Sequence, residues 1–431
     1  MFSLPRPGCV AAGQRGHVYI FDSTSGDSYI FLGNLASGSQ STVQLVANMF
    51  TKEVVVRKVS KAKLPQTVGA KERGLTSSNN RPENCEVRIL EHLNALLHNP
   101  VCTVAVTPRW TTCIAHENVS TTVGGPWPRT VISRVSYWKL CNGGSLADWT
   151  WDPDCVEVSL NWNPKLPSLP GPSEDRASAL PISIVARCIR QVSETLHFMY
   201  NAGHEAVYHC DLHLGNVFLH FDPNGADGGL PNFYIGDFGW SRTASEDWAN
   251  GSDGSLYGPP RGRTASGMPS LGSASPGQRR RWDLDRFGDA IKIMTRLAAP
   301  ETAGPLTPPD QSSPLSKHAK GLKGLIMMLQ FLNDQEALLA TKNPRSRPTS
   351  LAEFIREAKK LEEAALAAEN NTDRFRRFIA LGRRRAEHIM KRLKPHVFPS
   401  DLALPAEARK TRAENYGRAN IEGPWSLMES V

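Results

Sequence analysis

The stretch from Tyr208 to Ser241, YHCDLHLGNVFLHFDPNGADGGLPNFYIGDFGWS, constrains this chain more than any other. One polar cluster, His209, Asp211 and Asn216, precedes a second, Asp237, Phe238 and Gly239, with apolar segments between them. Val217 to Leu219 read as a short strand, Pro223, Asn224, Gly225, Gly228 and Gly229 supply a turn, and Phe233 to Ile235 read as the returning strand. A hairpin of that kind carries both clusters to one end, where side chains distant in sequence meet.

The residue types at that end point to a chemistry. Phosphoryl transfer needs an anionic group to orient the attacking hydroxyl, and an amide and a carboxylate to hold Mg²⁺ on the phosphates, with little covalent help from the protein. Asp211, Asn216 and Asp237 are groups of those kinds. The segment HCDLHLGN resembles the catalytic loop of protein kinases, which commonly begins His-Arg-Asp-Leu, and DFG stands as it does in them. Cys210 occupies the place of the usual arginine, and His213 that of the usual lysine. The resemblance implies that the missing arginine removes dependence on a phosphorylated activation segment. It also implies slow turnover, because an imidazole with a reference pKa near ~6.5 is mostly neutral at cytosolic pH. If His213 must be charged, the rate falls as pH rises through about 7. DLHLGN is also similar to the loop of kinases of small molecules, such as aminoglycoside and choline kinases, where histidine stands in the same position.

The upstream third suits a nucleotide-binding lobe. Residues 29–59 alternate as a strand, a glycine-containing turn and two more strands. In Glu53 to Val59 the period of two sets Val54, Val56 and Lys58 on one face and Val55, Arg57 and Val59 on the other. A lysine on an apolar face is costly without an anionic partner. Pro82 opens a helix through about Leu97, and its stripe Glu86, Leu90, Leu93 and Leu97 makes Glu86 the chosen partner, ahead of Glu83 and Glu91. The segment resembles the first three kinase strands. By that match Gly38 is the central glycine of the phosphate-covering loop, Val43 closes it, and Ala36 and Ser41 replace its flanking glycines. Residues 101–140 read as two or three strands ending in SYWKLCNGGSLADW, which resembles the kinase hinge. Trp138 is then the residue behind the adenine, Lys139 offers its carbonyl and Cys141 its N–H.

Downstream, Pro181 to about Asn201 carries apolar residues at helical spacing throughout and reads as a buried core helix. WDLDRFG resembles the start of the large central kinase helix, with Asp283 bracing the catalytic loop. Ser275, Pro276 and Gly277 are the nearest match to Ala-Pro-Glu, and Arg347 lies where the arginine that pairs with the missing glutamate is found.

Composition bounds the rest. At 431 residues, length alone allows two or three domains, while 31 prolines and 34 glycines signal irregular insertions. No apolar run approaches the ~20 residues of a membrane helix, and the N-terminus lacks a secretory apolar core. The eight cysteines contain no CxxC pair, which argues against zinc and a disulfide framework and favours a reducing interior, cytoplasmic or nuclear. The net charge of +8 is concentrated between Arg374 and Lys394, where nine Lys or Arg face one acid, Glu387. Without aromatic interleaving that run reads as a solvated helical extension; it suits an acidic partner, and nucleic acid is not expected.

The expected fold is α+β and bilobal: a small β-rich N-lobe with one main helix and a larger, mostly helical C-lobe, the nucleotide between them. The expected division is a lead at 1–27, the N-lobe at 28–140, the C-lobe at 141–358 with insertions at 151–178 and 243–278, and a basic extension at 359–431. The function implied is transfer of the γ-phosphoryl group of ATP, with Mg²⁺, to serine or threonine of a protein. Asp211 and His213 are the candidate catalytic residues together with Lys58 and Glu86. The candidate nucleotide contacts are Gly38, Val43, Lys58, Lys139, Cys141, Asn216 and Asp237, the last two also holding the metal. A scaffold of kinase shape with weak or no catalysis, and a small-molecule phosphotransferase, are the alternatives.

Overall fold

The computed structural model describes residues 17–23, 26–37, 41–48, 51, 53–60, 82–99, 104–123, 129–150, 180–222, 229–245, 276–298, 314–338, 350–391 and 425–429. Gly38, the loop Pro126 to Pro128, the insertion at 151–178, most of that at 243–278, Ser275 and Arg347 lie outside the described residues.

The N-terminal part is an antiparallel sheet. β1 (His17–Asp22), β2 (Ser28–Ser37), β3 (Ser41–Asn48) and β4 (Val54–Ser60) follow one another, and then β6 (Arg129–Lys139) lies between β4 and β5 (Cys113–Val123). The β-branched run of β4 suits a central strand, and both of its faces are covered. On one face Arg57 is only 1% exposed beside Val55 and Val59. Its Nη1 donates to Gln44 Oε1 at 2.8 Å, and it lies against Tyr137, whose ring stacks on Tyr29 at 4.2 Å. A buried guanidinium is tolerable only with such partners. The opposite face carries Lys58 toward α1 (Pro82–Leu97).

α1 begins and ends where expected, but its buried side is not quite the expected stripe. Glu86, Ile89, Leu90, Leu93 and Leu96 are buried, whereas Leu97 is 43% exposed. The final turn passes beyond the core on that side, and Leu96 instead packs over Gly203.

The chain crosses into the helical part through Asn142, Gly143 and Gly144. A Cβ on Gly143 would come within 2.7 Å of Leu219 Cβ, and Gly144 has a φ of 77°, so both positions require glycine. Asn142 acts as a substitute strand residue: its Nδ2 donates to Phe221 O at 2.8 Å and its Oδ1 accepts from Phe221 N at 2.7 Å. The short β7 (Gly144–Ser145) then pairs with the hairpin described below.

α2 (Ile182–Asn201) is buried almost all round, yet core packing is not its whole explanation. Gln191 Oε1 accepts from Phe233 N at 2.8 Å, Arg187 Nε donates to Pro231 O at 2.8 Å, and Thr195 Oγ1 accepts from Arg109 N at 2.9 Å. These polar groups fix the returning strand against the helix. Periodicity could not distinguish them from helix surface, because their partners lie in other segments.

β8 (Val207–Tyr208) leads into the expected hairpin, β9 (Val217–Phe221) and β10 (Pro231–Ile235), and β11 (Arg242–Thr243) pairs back onto β8. α3 (Pro276–Ala298), α4 (Pro314–Leu338), α5 (Leu351–Glu369) and α6 (Asp373–Lys391) complete the helical part. α5 runs unbroken through residue 358, where the C-lobe was expected to end, and packs on α2. Its last residue, Glu369, is 1% exposed and caps α2: Oε1 accepts from Ile182 N at 3.0 Å and Oε2 from Ser183 N at 2.8 Å. A carboxylate there satisfies free N–H groups and complements the helix dipole. α6 turns back, burying Phe375, Phe378 and Ile379 and setting Phe378 4.9 Å from the Trp149 ring. The basic stretch therefore begins as a docked helix whose apolar face covers the hairpin.

β12 (Trp425–Glu429) pairs with β1, so the sheet has seven strands among the described residues, in the order β12-β1-β2-β3-β4-β6-β5. The lead and the tail of the sequence thus each contribute a strand to it. A sheet-bearing N-terminal part followed by a mostly helical part, joined at the Asn142 crossing, is the α+β arrangement of a β-rich and a helical part that was expected.

Candidate active site

The two polar clusters meet between the parts, and Lys58 reaches them from the sheet. Its Nζ lies 2.7 Å from Glu86 Oε2 and 2.8 Å from Asp237 Oδ1. Burial alone would lower the ammonium pKa, but the two carboxylates outweigh it and hold Lys58 charged well above its ordinary range. Burial pushes Glu86 upward; the ammonium and the Phe238 N–H, which Glu86 accepts, work against that. Lys58 instead keeps the Asp237 carboxyl below the usual carboxylate range. Asp237 itself has a φ of 60°, a left-handed conformation that needs local support. Glu86 supplies that support by gripping the next peptide.

The catalytic-loop candidate is braced from beneath. Asp283 on α3 is fully buried; its Oδ2 accepts from His209 N at 2.8 Å and from Tyr200 OH at 3.2 Å, and its Oδ1 accepts from Cys210 N at 2.7 Å. Burial raises its pKa to about 7, and these three donors oppose the shift. Cys210 stands at a φ of 63°, the second left-handed non-glycine residue among those described, and the Asp283 grip on its N–H accounts for its tolerance. The Cys210 side chain is buried, with Sγ 3.7 Å from Tyr208 O.

His209, also fully buried, ties the two clusters together. Its Nε2 bonds Gly236 O at 3.0 Å, Nδ1 accepts from Asp211 N at 3.3 Å, and its ring meets Phe238 edge-on at 5.0 Å. Burial pushes its pKa down to about 4, so it serves as a neutral strut.

Asn216 Nδ2 donates to Asp211 O at 2.8 Å and approaches Asp211 Oδ2 at 3.4 Å. Its Oδ1 accepts no hydrogen bond among the described residues and, like the half-exposed Asp237 carboxylate, is a hard oxygen donor. One amide and one carboxylate suit Mg²⁺, which takes few protein ligands and completes its shell with phosphate and water. No group of three or more His, Cys, Asp or Glu placed to hold a metal occurs among the described residues. Asp211 has its pKa raised to about 7, chiefly by burial and then by the charge of Asp237.

His213 also has a structural role beside the loop. It caps the turn Leu214–Asn216, with Nδ1 accepting from Gly215 N at 3.0 Å. A ring nitrogen that accepts carries no proton, so the imidazole is neutral with its hydrogen on Nε2, 3.8 Å from Asp211 Oδ2. Burial lowers its pKa further. Gly215 makes this possible, since a Cβ there would lie 2.8 Å from His213 Cε1.

The remaining candidates line the roof and rear. Val43 lies opposite Lys58 in the β3–β4 ladder and shares its face. Val56 lies opposite Trp138, which is 5% exposed and donates from Nε1 to Ser136 Oγ at 2.8 Å, so the indole fills the space behind the cleft. Lys139 has an exposed side chain, and its N–H is already committed to Thr112 O at 2.9 Å. The Cys141 carbonyl accepts from Gly144 N at 3.1 Å, while its own N–H has no partner among the described residues. Gly38 lies outside them.

Sequence reasoning passed over Gly236. A Cβ there would lie 2.8 Å from Thr111 Cγ2 and 2.9 Å from Phe218 Cε2, so only glycine lets Asp237 follow β10 this closely. A glycine directly before a polar cluster at a strand end was the available signal. Trp110 left no such signal: it bridges to Ile235 and donates from Nε1 to Asn94 Oδ1 at 3.1 Å, linking α1 to the strand before Asp237.

No family model matches this chain, and no curated protein does. Among solved structures it is similar to one described as the crystal structure of BubR1 kinase domain, at a TM-score of 0.44 and 14% identity, over 86% of this chain and 87% of that one.

Proposed function

We propose that this kinase-like chain is an ATP- and Mg²⁺-dependent protein kinase that phosphorylates serine or threonine. The observation that carries the reading is Lys58 held between Glu86 and Asp237 at 2.7 and 2.8 Å, with Asp237 near enough to Asp211 for its charge to act there and Asn216 in contact with Asp211. One carboxylate suffices to neutralise a lysine, so the second, half-exposed Asp237 carboxylate is surplus negative charge that suits a divalent cation and leaves the ammonium able to turn to a phosphate once that cation is bound.

In this reading Lys58 binds the α and β phosphates, with Glu86 fixing its position. Asn216 Oδ1 and Asp237 hold Mg²⁺, which when bound neutralises charge on the phosphates. Asp211 orients the acceptor hydroxyl and takes its proton. Val43 covers the nucleotide from above, Gly38 belongs to the loop over the phosphates, and the Cys141 N–H and Lys139 carbonyl meet the adenine edge. His213 contributes a neutral Nε2–H donor. In this proposal the N-lobe is the sheet-bearing part through residue 140 with β1 and β12 included, the C-lobe runs from 141 through the end of α5, and α6 is an appended helix whose exposed arginines suit an acidic partner.

The pH dependence follows from Asp211 and runs opposite to that of a charged histidine. A carboxyl raised to about 7 is protonated at lower pH and cannot accept the hydroxyl proton there. His213 is already neutral and has no charge to lose. Accordingly kcat/KM rises from about pH 6 to about pH 8, reporting free-enzyme ionisation. A rate that falls over that interval would transfer the role to a protonated His213.

A scaffold reading is favoured by two observations: Cys210 offers no cation, and Asp237 is already ion-paired. Incubation with γ-labelled Mg·ATP separates the readings, using a peptide library in one arm and small alcohols and aminoglycosides in the other. The proposal expects label on Ser- or Thr-containing peptides. Label on small alcohols alone selects the small-molecule phosphotransferase, and label in neither arm selects the scaffold.

A further inference from the structure

Within the phosphoryl-transfer reading, the charges at the site do not balance. Asp211, Asp237 and Glu86 are carboxylates, Lys58 is engaged by two of them, and both nearby histidines are neutral. A transferring phosphoryl group brings further negative charge to Asp211, and such sites stabilise it with preorganised cations.

α3 carries a candidate. Its arginines Arg279, Arg280 and Arg281 are each occupied: Arg279 Nη1 donates to Thr243 O at 3.0 Å, Arg280 lies over the Tyr200 ring at 5.2 Å, and Arg281 Nε is 3.9 Å from Asp285. Arg286 is different. It follows Asp283 by three positions and so shares the helix face that braces the catalytic loop. Its guanidinium rests on the Trp282 ring, 4.9 Å from the centroid, a contact that holds it without satisfying its donors. It makes no hydrogen bond or ion pair among the described residues, and its charge is felt by both Asp211 and His213.

We infer that Arg286, stacked on Trp282 and delivered by the helix that braces the loop, is the cation that engages the γ-phosphoryl group beside Asp211. The planar fork of a guanidinium donates to two phosphate oxygens at once, and its attraction for the anion is strengthened where water is partly excluded. The neutral Nε2–H of His213, 3.8 Å from Asp211 Oδ2, adds a donor.

The inference rests on the reading above, but equilibrium binding can test it without turnover. Affinities for Mg·ADP and for a non-hydrolysable Mg·ATP analogue are measured by calorimetry on the full chain for wild type, Arg286→Met and Arg286→Lys. Methionine preserves contact with Trp282, and a thermal melt checks folding. Arg286→Met is expected to bind the ATP analogue about tenfold more weakly, with Mg·ADP affinity within about twofold of wild type, and Arg286→Lys to recover most of the loss. Equal loss for both nucleotides, or no loss for either, overturns the inference. If wild type binds the analogue but transfers no phosphoryl group, the kinase reading fails while the Arg286 measurement still decides. If wild type binds neither nucleotide, both are overturned.

Discussion

Asp211→Asn is expected to leave the protein folded and able to bind Mg·ATP while lowering phosphoryl transfer by about 10³-fold, within the range for loss of a positioned proton acceptor. The substitution is isosteric. Asn216 Nδ2 keeps its stronger bond to the backbone oxygen of residue 211, at 2.8 Å, and loses only the 3.4 Å approach to the side chain. Among the described residues no cation forms a close ion pair with this carboxylate, and the neutral His213 lies 3.8 Å from it. Removing its charge therefore strands no partner, and the unfolding midpoint should match wild type. Turnover of Mg·ATP by the two proteins, compared side by side with nucleotide binding, is the measurement. Equal rates would show that Asp211 accepts no proton in the reaction, and a lowered midpoint would show that its role is structural.

Asp283→Ala is expected to act in the opposite way, through the fold. Its carboxylate is fully buried and is the acceptor for His209 N, Cys210 N and Tyr200 OH. Each buried donor left unsatisfied costs about 1–3 kcal/mol, so the loss should reach about 3–5 kcal/mol. That is a large part of the ~5–15 kcal/mol that separates folded from unfolded domains. Cys210 would also lose the bond that holds it in the left-handed region. Urea unfolding followed by tryptophan fluorescence, with Asp211→Asn as the control, reads the difference. A midpoint shift equivalent to less than about 1 kcal/mol would mean that water or another group replaces the carboxylate, and that the catalytic loop does not depend on α3.

These two aspartates also show what could be read from the chain alone. Asp211 was legible because its neighbours in sequence are its neighbours in function: the loop from His209 to Asn216 is a continuous turn, and the hairpin that follows returns Asp237 by local geometry. Lys58 and Glu86 were legible for a different reason. A charge on an apolar face of a strand or helix needs a partner, and two such faces in one lobe leave few choices. Asp283 could be placed only through the resemblance of its surrounding motif, and Arg286 was not singled out at all. Among seven closely spaced charged residues on α3, the sequence does not say which face the loop.

The alternation of β2 to β4, the span of α1, the hairpin and its two polar ends were all determined by the amino-acid order, since each depends on periodicity or turn chemistry within a few residues. The tertiary structure alone decided the protonation of His213, which hangs on one peptide N–H of Gly215. It alone decided that α5 continues through residue 369 to cap α2, and that α6 folds back onto the hairpin with Arg376 and Arg377 outward and Arg374 turned in to Leu180 O. It also decided the requirement for glycine at 143 and 236, which comes from Leu219 in one case and from Thr111 and Phe218 in the other. Local pattern reports the conformation a segment prefers. Which distant group approaches it, and so which charges survive and which side chains fit, is settled only when the whole chain has packed.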